Sequence, residues 1–229
     1  EFEALQTEVQ DLQTVSMSLQ VNAQSARTKN LVFGRFDELA RLKVPAGLTQ
    51  ADAEVHLQAA LQQARKEASR RGAKPDDNGQ TAALITVQYK DQQKSPENQL
   101  ADASKALVGN KDSMVILVNA LFNSFQEEFV PVVLQVRQNP IVYRLNDVIA
   151  EARIDGSVSQ AEIIKALEQF LTVELRQAAT KKGMIAANGR SLGELGPDQL
   201  IKLVADIRST GRRIRVIAVA TRETRAAED

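Results

Sequence analysis

The chain has 229 residues, no Cys, one His, no Trp and a formal net charge of +0. Zero Cys excludes zinc ribbons, Fe–S clusters, thiol catalysis and a disulfide scaffold, and a single His argues against a His-based triad. The length suffices for one large domain or two small ones with a real core, so folding needs no metal or covalent staple.

Hydrophobic residues make up 43% and charged residues 25%, as in soluble globular domains, while aromatics reach only 4%. Ala, Gln, Leu, Glu and Arg are abundant, and all are strong helix formers. The composition therefore predicts a mainly α fold: a multi-helix bundle around a buried central helix, with an N-terminal heptad helix and a minor β element near the C-terminus.

Residues 3–29 read as a helix with an apolar seam. Leu5, Val9, Leu12, Ser16, Leu19, Ala23 and Ala26 fall at spacings of four and three, as in a coiled coil. The seam could dock on the chain's own body or on another copy. The sequence opens on Glu1-Phe2 without Met, as a processed product would, and Glu-Phe is also what a cloning junction encodes. Asn30–Lys43 continues as helix, broken by Pro45-Ala46-Gly47. Thr49, followed three residues later by Asp52, opens a helix to about Arg71, which Gly72 stops. Residues 1–72 are thus expected to form a helical arm or hairpin, residues 73–81 a linker loop, and residues 82–229 a helical core with a terminal strand.

Ala83–Tyr89 is ambiguous between strand and helix. Ser95-Pro96 starts a helix that ends near Gly109. Asp112–Arg137 is the most apolar segment, and a helix apolar on most sides is buried on most sides. It is expected to be the central helix, kinked at Pro131. Another helix is expected from Asn139-Pro140 through Ile149. Ser159 and Glu162 form a capping box by spacing and open a helix to about Lys182. The last helix covers Gln199–Ile207. Ile214–Ala220 reads as a strand whose partner is Met184–Ala187, Leu84–Gln88 or a neighbouring subunit. No repeat of 20–50 residues is apparent.

Glu151–Glu162 resembles a degenerate EF-hand loop, with Asp155 fifth, Gly156 sixth and Glu162 twelfth, but Arg153 stands where an oxygen ligand belongs. The alternative is a helix–turn–helix corner closed by the capping box. Phosphate-binding, nucleophile-elbow and metalloprotease motifs are absent, so neither a catalytic residue nor a cofactor or metal is expected and the chain reads as no enzyme. Glu127 or Asp155 would be the best candidates otherwise.

Charge is uneven. Between Arg176 and Arg225 there are 11 basic and 4 acidic residues, so this segment carries roughly +7 and the remainder roughly −7. Lys181, Lys182, Arg190, Arg212, Arg213 and Arg215 could hold nucleic-acid phosphates by charge alone. The leading expectation is a non-enzymatic assembly subunit, coat-, capsid- or scaffold-like, that self-associates into an oligomer or filament. Leu5, Val9, Leu12, Leu19, Ile214 and Val216 would carry the contacts. No segment reaches the roughly 18 apolar residues a membrane span needs and no signal peptide is visible, so a soluble protein is expected, with the absence of Cys favouring a reducing compartment or a virion.

Overall fold

Two capped helices set the frame. Thr49 caps α1 (Gln50–Arg70), its hydroxyl accepting from the Asp52 N–H while the Asp52 carboxylate accepts from Thr49. Ser159 and Glu162 repeat the arrangement at α3 (Gln160–Gln169). Such caps satisfy backbone donors that the first turn leaves without partners. The computed structural model describes residues 30–89, 92–185 and 195–228.

In chain order, β1 (Leu31–Phe33) and β2 (Glu38–Val44) precede α1. Then come β3 (Ala82–Leu84), β4 (Val87–Tyr89), β5 (Gln92–Lys94) and α2 (Pro96–Leu107). Next are β6 (Met114–Ala120), β7 (Ser124–Phe125), β8 (Val130–Gln138), β9 (Ile141–Tyr143) and β10 (Val148–Asp155). Helix α3 passes through a π-helical turn (Phe170–Glu174) into α4 (Leu175–Lys182). The last elements are α5 (Pro197–Thr210), β11 (Arg213–Val219) and β12 (Thr224–Arg225).

The fold is mixed α/β: among the described residues there are four helices, α3 and α4 being one continuous helix through the π turn, with 38% helix and 30% strand in several small sheets. This corrects the expected mainly α bundle. Asp112–Arg137 is no central helix; it supplies β6, β7 and part of β8. Met114–Val118 is fully buried, as a strand covered on both faces is, and such a run carries no period that separates strand from helix. Residues 31–44 and 141–155, read as helices over most of their length, are the strand pairs β1–β2 and β9–β10. The heptad segment lies outside the described residues, and among those described the chain forms no coiled coil.

The strands form a four-stranded sheet, ordered β2-β6-β8-β3, and four two-stranded ribbons: β1-β7, β4-β5, β10-β11 and β12-β9. β3 and β8 are parallel, with Ala82 opposite Val130 and Leu84 opposite Val132. β11 pairs antiparallel with β10, a segment read from the sequence as helix through Ile149 and then as a loop or corner. Two compact units emerge: residues 30–42, 48–109 and 116–136 in one, and residues 43–47, 110–115 and 137–228 in the other. In the first, Leu57, Ala60, Leu61, Ala64 and Ala68 form the buried stripe of α1. In the second, Ile154, Ile163, Leu167, Val204 and Ile207 form the core, with Ile214 and Val216 packed against it.

The chain is built twice. β1-β2-α1 with α2-β6-β7 matches β9-β10-α3-α4 with α5-β11-β12 in element order and in a series of matching bonds. The Gly34 N–H donates to Asp37 Oδ2 at 2.7 Å, and the Arg144 N–H to Asp147 Oδ2 at 2.9 Å. Phe36 and Asn146, both at φ 69°, each donate a backbone N–H over 2.8 Å, to the carbonyls of Ala120 and Ala220. Leu31 faces Phe125 as Ile141 faces Arg225, and Phe33 faces Ser124 as Tyr143 faces Thr224. The Phe125 N–H donates to Glu128 Oε2, as the Arg225 N–H does to Glu228 Oε2.

Spacing along the chain is constant from Leu31/Ile141 to Leu57/Leu167 and then slips by one. Ala64 matches Leu175, Ala68 matches Ala179, and Gly72 matches Gly183. The slip falls in the π turn, where the Leu175 N–H reaches back to the Phe170 carbonyl. A π bulge is how a helix absorbs one inserted residue.

The C-terminus of α1 carries a charge cluster. Arg70 binds Glu67 through both carboxylate oxygens at 2.7 Å, and Arg71 adds a bond at 2.8 Å. These guanidiniums lower the Glu67 carboxyl from its usual 4.5 to about 2. A depressed folded-state pKa contributes stability above the unfolded value, lost as pH falls through the folded one. Stability should therefore fall between about pH 4.5 and pH 2 more steeply in wild type than in Glu67→Gln. Urea midpoints across that window check it, and parallel profiles would refute it.

Candidate self-association site

The residues singled out in the sequence fall on separate elements. Lys181 and Lys182 are exposed on the last turn of α4, where cations suit the helix dipole. Lys182 Nζ lies 4.2 Å from the centre of the Tyr143 ring and 3.7 Å from Asp147 Oδ2. Arg190, Leu5, Val9, Leu12 and Leu19 lie outside the described residues. Arg212, Arg213, Ile214, Arg215 and Val216 are contiguous, at and within β11.

β11 is exposed and half-buried at alternate residues. Ile214, Val216 and Ala218 point inward, and Ile214 and Val216 pack against the core cluster. Arg213, Arg215, Ile217 and Val219 share the outer face. Arg213 stands opposite Asp155 and Arg215 opposite Arg153. Arg215 Nη1 is 3.4 Å from Glu151 Oε2. The outer face is thus mixed in sign, with Arg153, Arg213 and Arg215 interleaved with Glu151 and Asp155. It also carries Val148, Ile217 and Val219, which are 53%, 39% and 44% exposed. Sequence reasoning passed over these apolar residues, although the alternation that puts Arg213 and Arg215 on one face also puts Ile217 and Val219 there.

One edge of β11 belongs to β10, and among the described residues no strand pairs with the other. The matching strand in the first half, β6, is flanked on both sides, by β2 and β8. There the Leu121 N–H donates to the Pro131 carbonyl and the Asn139 N–H to the Ser113 carbonyl, so β8 runs antiparallel to β6. Alongside β11 lies a groove of about 630 Å³, lined in part by Leu167, Phe170, Leu171, Leu203, Val216 and Ala218.

The loop after β10 is a strand–turn–helix connection, neither the helix–turn–helix corner nor an EF-hand. The Asp155 carboxylate accepts from the Ser157 N–H and hydroxyl, which hold it below the usual carboxylate range. Glu162 is held low in the same way by Ser159. Both are tied up locally. Among the described residues no group of three or more acidic or His side chains gathers as a metal site. Glu127, the other carboxylate considered, sits at φ 70° in a turn, 3.2 Å from Lys74 Nζ. No helix among the described residues is long and apolar enough to cross a membrane. No protein-family model, curated protein or solved structure matches the chain.

Proposed function

We propose that this protein is a non-enzymatic assembly subunit, coat- or scaffold-like, that self-associates into an oligomer or filament. One observation carries the reading: the outer face of the β10-β11 ribbon exposes Val148, Ile217 and Val219 beside charges of both signs. β11 shares that face with β10, Arg213 standing opposite Asp155. The mixed charge of its outer face supports contact with protein rather than with a row of phosphates.

The test is light scattering over a dilution series at neutral pH and low salt, with electron microscopy of the same samples. The expected result is a mass that is a multiple of the chain's, as closed particles or filaments. A monomer at every concentration would overturn the proposal.

A further inference from the structure

Beside β7 in the first half lies a cavity of about 730 Å³, a size that suits a small organic ligand. Phe122, Phe125, Phe129 and Pro131 give it an apolar wall, so three of the chain's seven Phe meet there. Ser124 also lines it; the residue is 2% exposed, and its hydroxyl has no hydrogen-bond partner. Buried polar groups are satisfied in nearly all native structures, so this hydroxyl is one that a bound molecule can engage. Arg35 stands at the same wall. Its N–H donates to Asn123 Oδ1 at 2.8 Å, and its guanidinium lies 4.6 Å from the centre of the Phe36 ring. Among the described residues no carboxylate pairs with that guanidinium.

The second half shows that the fold does not require this wall. The matching turns have the same backbone: Phe36 and Asn146 both sit at φ 69°, and Glu128 and Glu228 accept from the N–H of Phe125 and of Arg225. Glu128, though it lines the cavity, thus serves the turn as its counterpart does. Yet Leu145, Asn146, Arg222 and Arg225 stand where the first half has Arg35, Phe36, Phe122 and Phe125. Asn adopts a positive φ readily and a bulky residue does not, so Phe36 is held against its preference. Phe36 and Phe122 are also half-exposed, at 50% and 51%. The shared bonds build the turns; the residues that differ between the halves build the cavity.

We propose that this cavity binds a small aromatic acid. Phe122, Phe125 and Phe129 take the ring by offset or edge-to-face packing. Arg35, steadied on the Phe36 ring, receives the acidic group through its planar fork of N–H donors. The Ser124 hydroxyl bonds a polar atom of the ligand. All of these residues lie in the first compact unit, and the proposal stands independently of self-association.

The test is calorimetric titration of the full chain at neutral pH with 2-naphthoate, and with neutral 2-naphthol beside it. Saturable binding of 2-naphthoate is expected, with a dissociation constant of about 1 mM or tighter for a ligand of this size. 2-Naphthol should bind about tenfold more weakly, lacking the charge-assisted bond to Arg35. Phe122→Arg gives the turn the residue that its counterpart carries, so it should keep the melting temperature and lose binding of both compounds. Arg35→Leu, chosen in the same way, should lower 2-naphthoate to the affinity of 2-naphthol and leave 2-naphthol unchanged. No saturable binding of 2-naphthoate would overturn the proposal and leave self-association standing. Binding that survives Phe122→Arg would also overturn it, because the ligand would then sit elsewhere. So would a preference for the acid that survives Arg35→Leu. Should Phe122→Arg fail to fold, Arg35→Leu, at an exposed position, decides alone.

Discussion

Gly156→Ala should destabilise the second half by about 3 kcal/mol, near the upper end for overpacking a well-fitted site. A Cβ there would sit 2.3 Å from the Ile207 carbonyl oxygen, 2.7 Å from Thr210 Oγ1 and 3.1 Å from the Arg212 carbonyl oxygen. Two of the three are backbone, so no rotamer relieves the contact. Gly156 is buried, and its N–H donates to that Arg212 carbonyl at 3.0 Å, which ties the end of β10 to the entrance of β11. The glycine is needed for close approach, not for a left-handed turn; its φ is not among the positive ones. The matching position in the first half holds the exposed Ala46, where Ala46→Gly should cost under about 1 kcal/mol. Urea unfolding of both variants measures the contrast. Equal midpoints would mean that the Gly156 contact relaxes without strain.

The second expectation concerns the π turn. Deleting Val173, an exposed residue of that turn, should change stability by less than about 1 kcal/mol, because it returns the helix to the register of its twin. Ile163 and Leu167 precede the turn, Phe170 opens it, and Leu175 and Ala179 follow it, all buried. Removing one residue leaves these at the spacings that Ala53, Leu57, Ala60, Ala64 and Ala68 keep in α1. Deleting Gln62 from α1 has no bulge to absorb it. It swings Ala64 and Ala68, both fully buried, about 100° off the core face. That change should cost more than about 4 kcal/mol, in the exceptional range for single lesions. Thermal melts of the two deletions separate the cases. Comparable losses would show that the π turn is required for packing rather than tolerated.

The helices were legible where their ends carried caps. Thr49 with Asp52, Ser95 with Pro96, and Ser159 with Glu162 each open a helix at the position read from the sequence. β11 was legible because its residues alternate. β6 was not, because Met114–Val118 is apolar at every position and offers no period. β2 and β10 were not, because Glu, Ala, Arg and Leu fill strands whose direction is settled by pairing with β6 and β11. Such tertiary pairing overrides local propensity.

The duplication escaped because it is far longer than the periods sought and slips by one residue midway. Its traces were present. Thr49-Gln-Ala-Asp answers Ser159-Gln-Ala-Glu, and Arg70-Arg-Gly answers Lys181-Lys-Gly. For the site, the sequence indicated the strand and its arginines. It held no sign that Val148 would join them on the outer face, which depends on the pairing of β10 with β11.

The pairing of β1 with β7 and of β9 with β12 also bears on how the chain reaches its fold. In each half the first strand waits for a partner that lies beyond the helices of that half. Closing so long a loop costs entropy before any ladder bond is made, so topologies of this kind fold slowly. The capped helices are local and can form early, while β6 and β11 must find β2 and β10 across most of a half. During that wait the apolar run Met114–Val118 stands uncovered, which makes it the segment most exposed to aggregation while the chain folds.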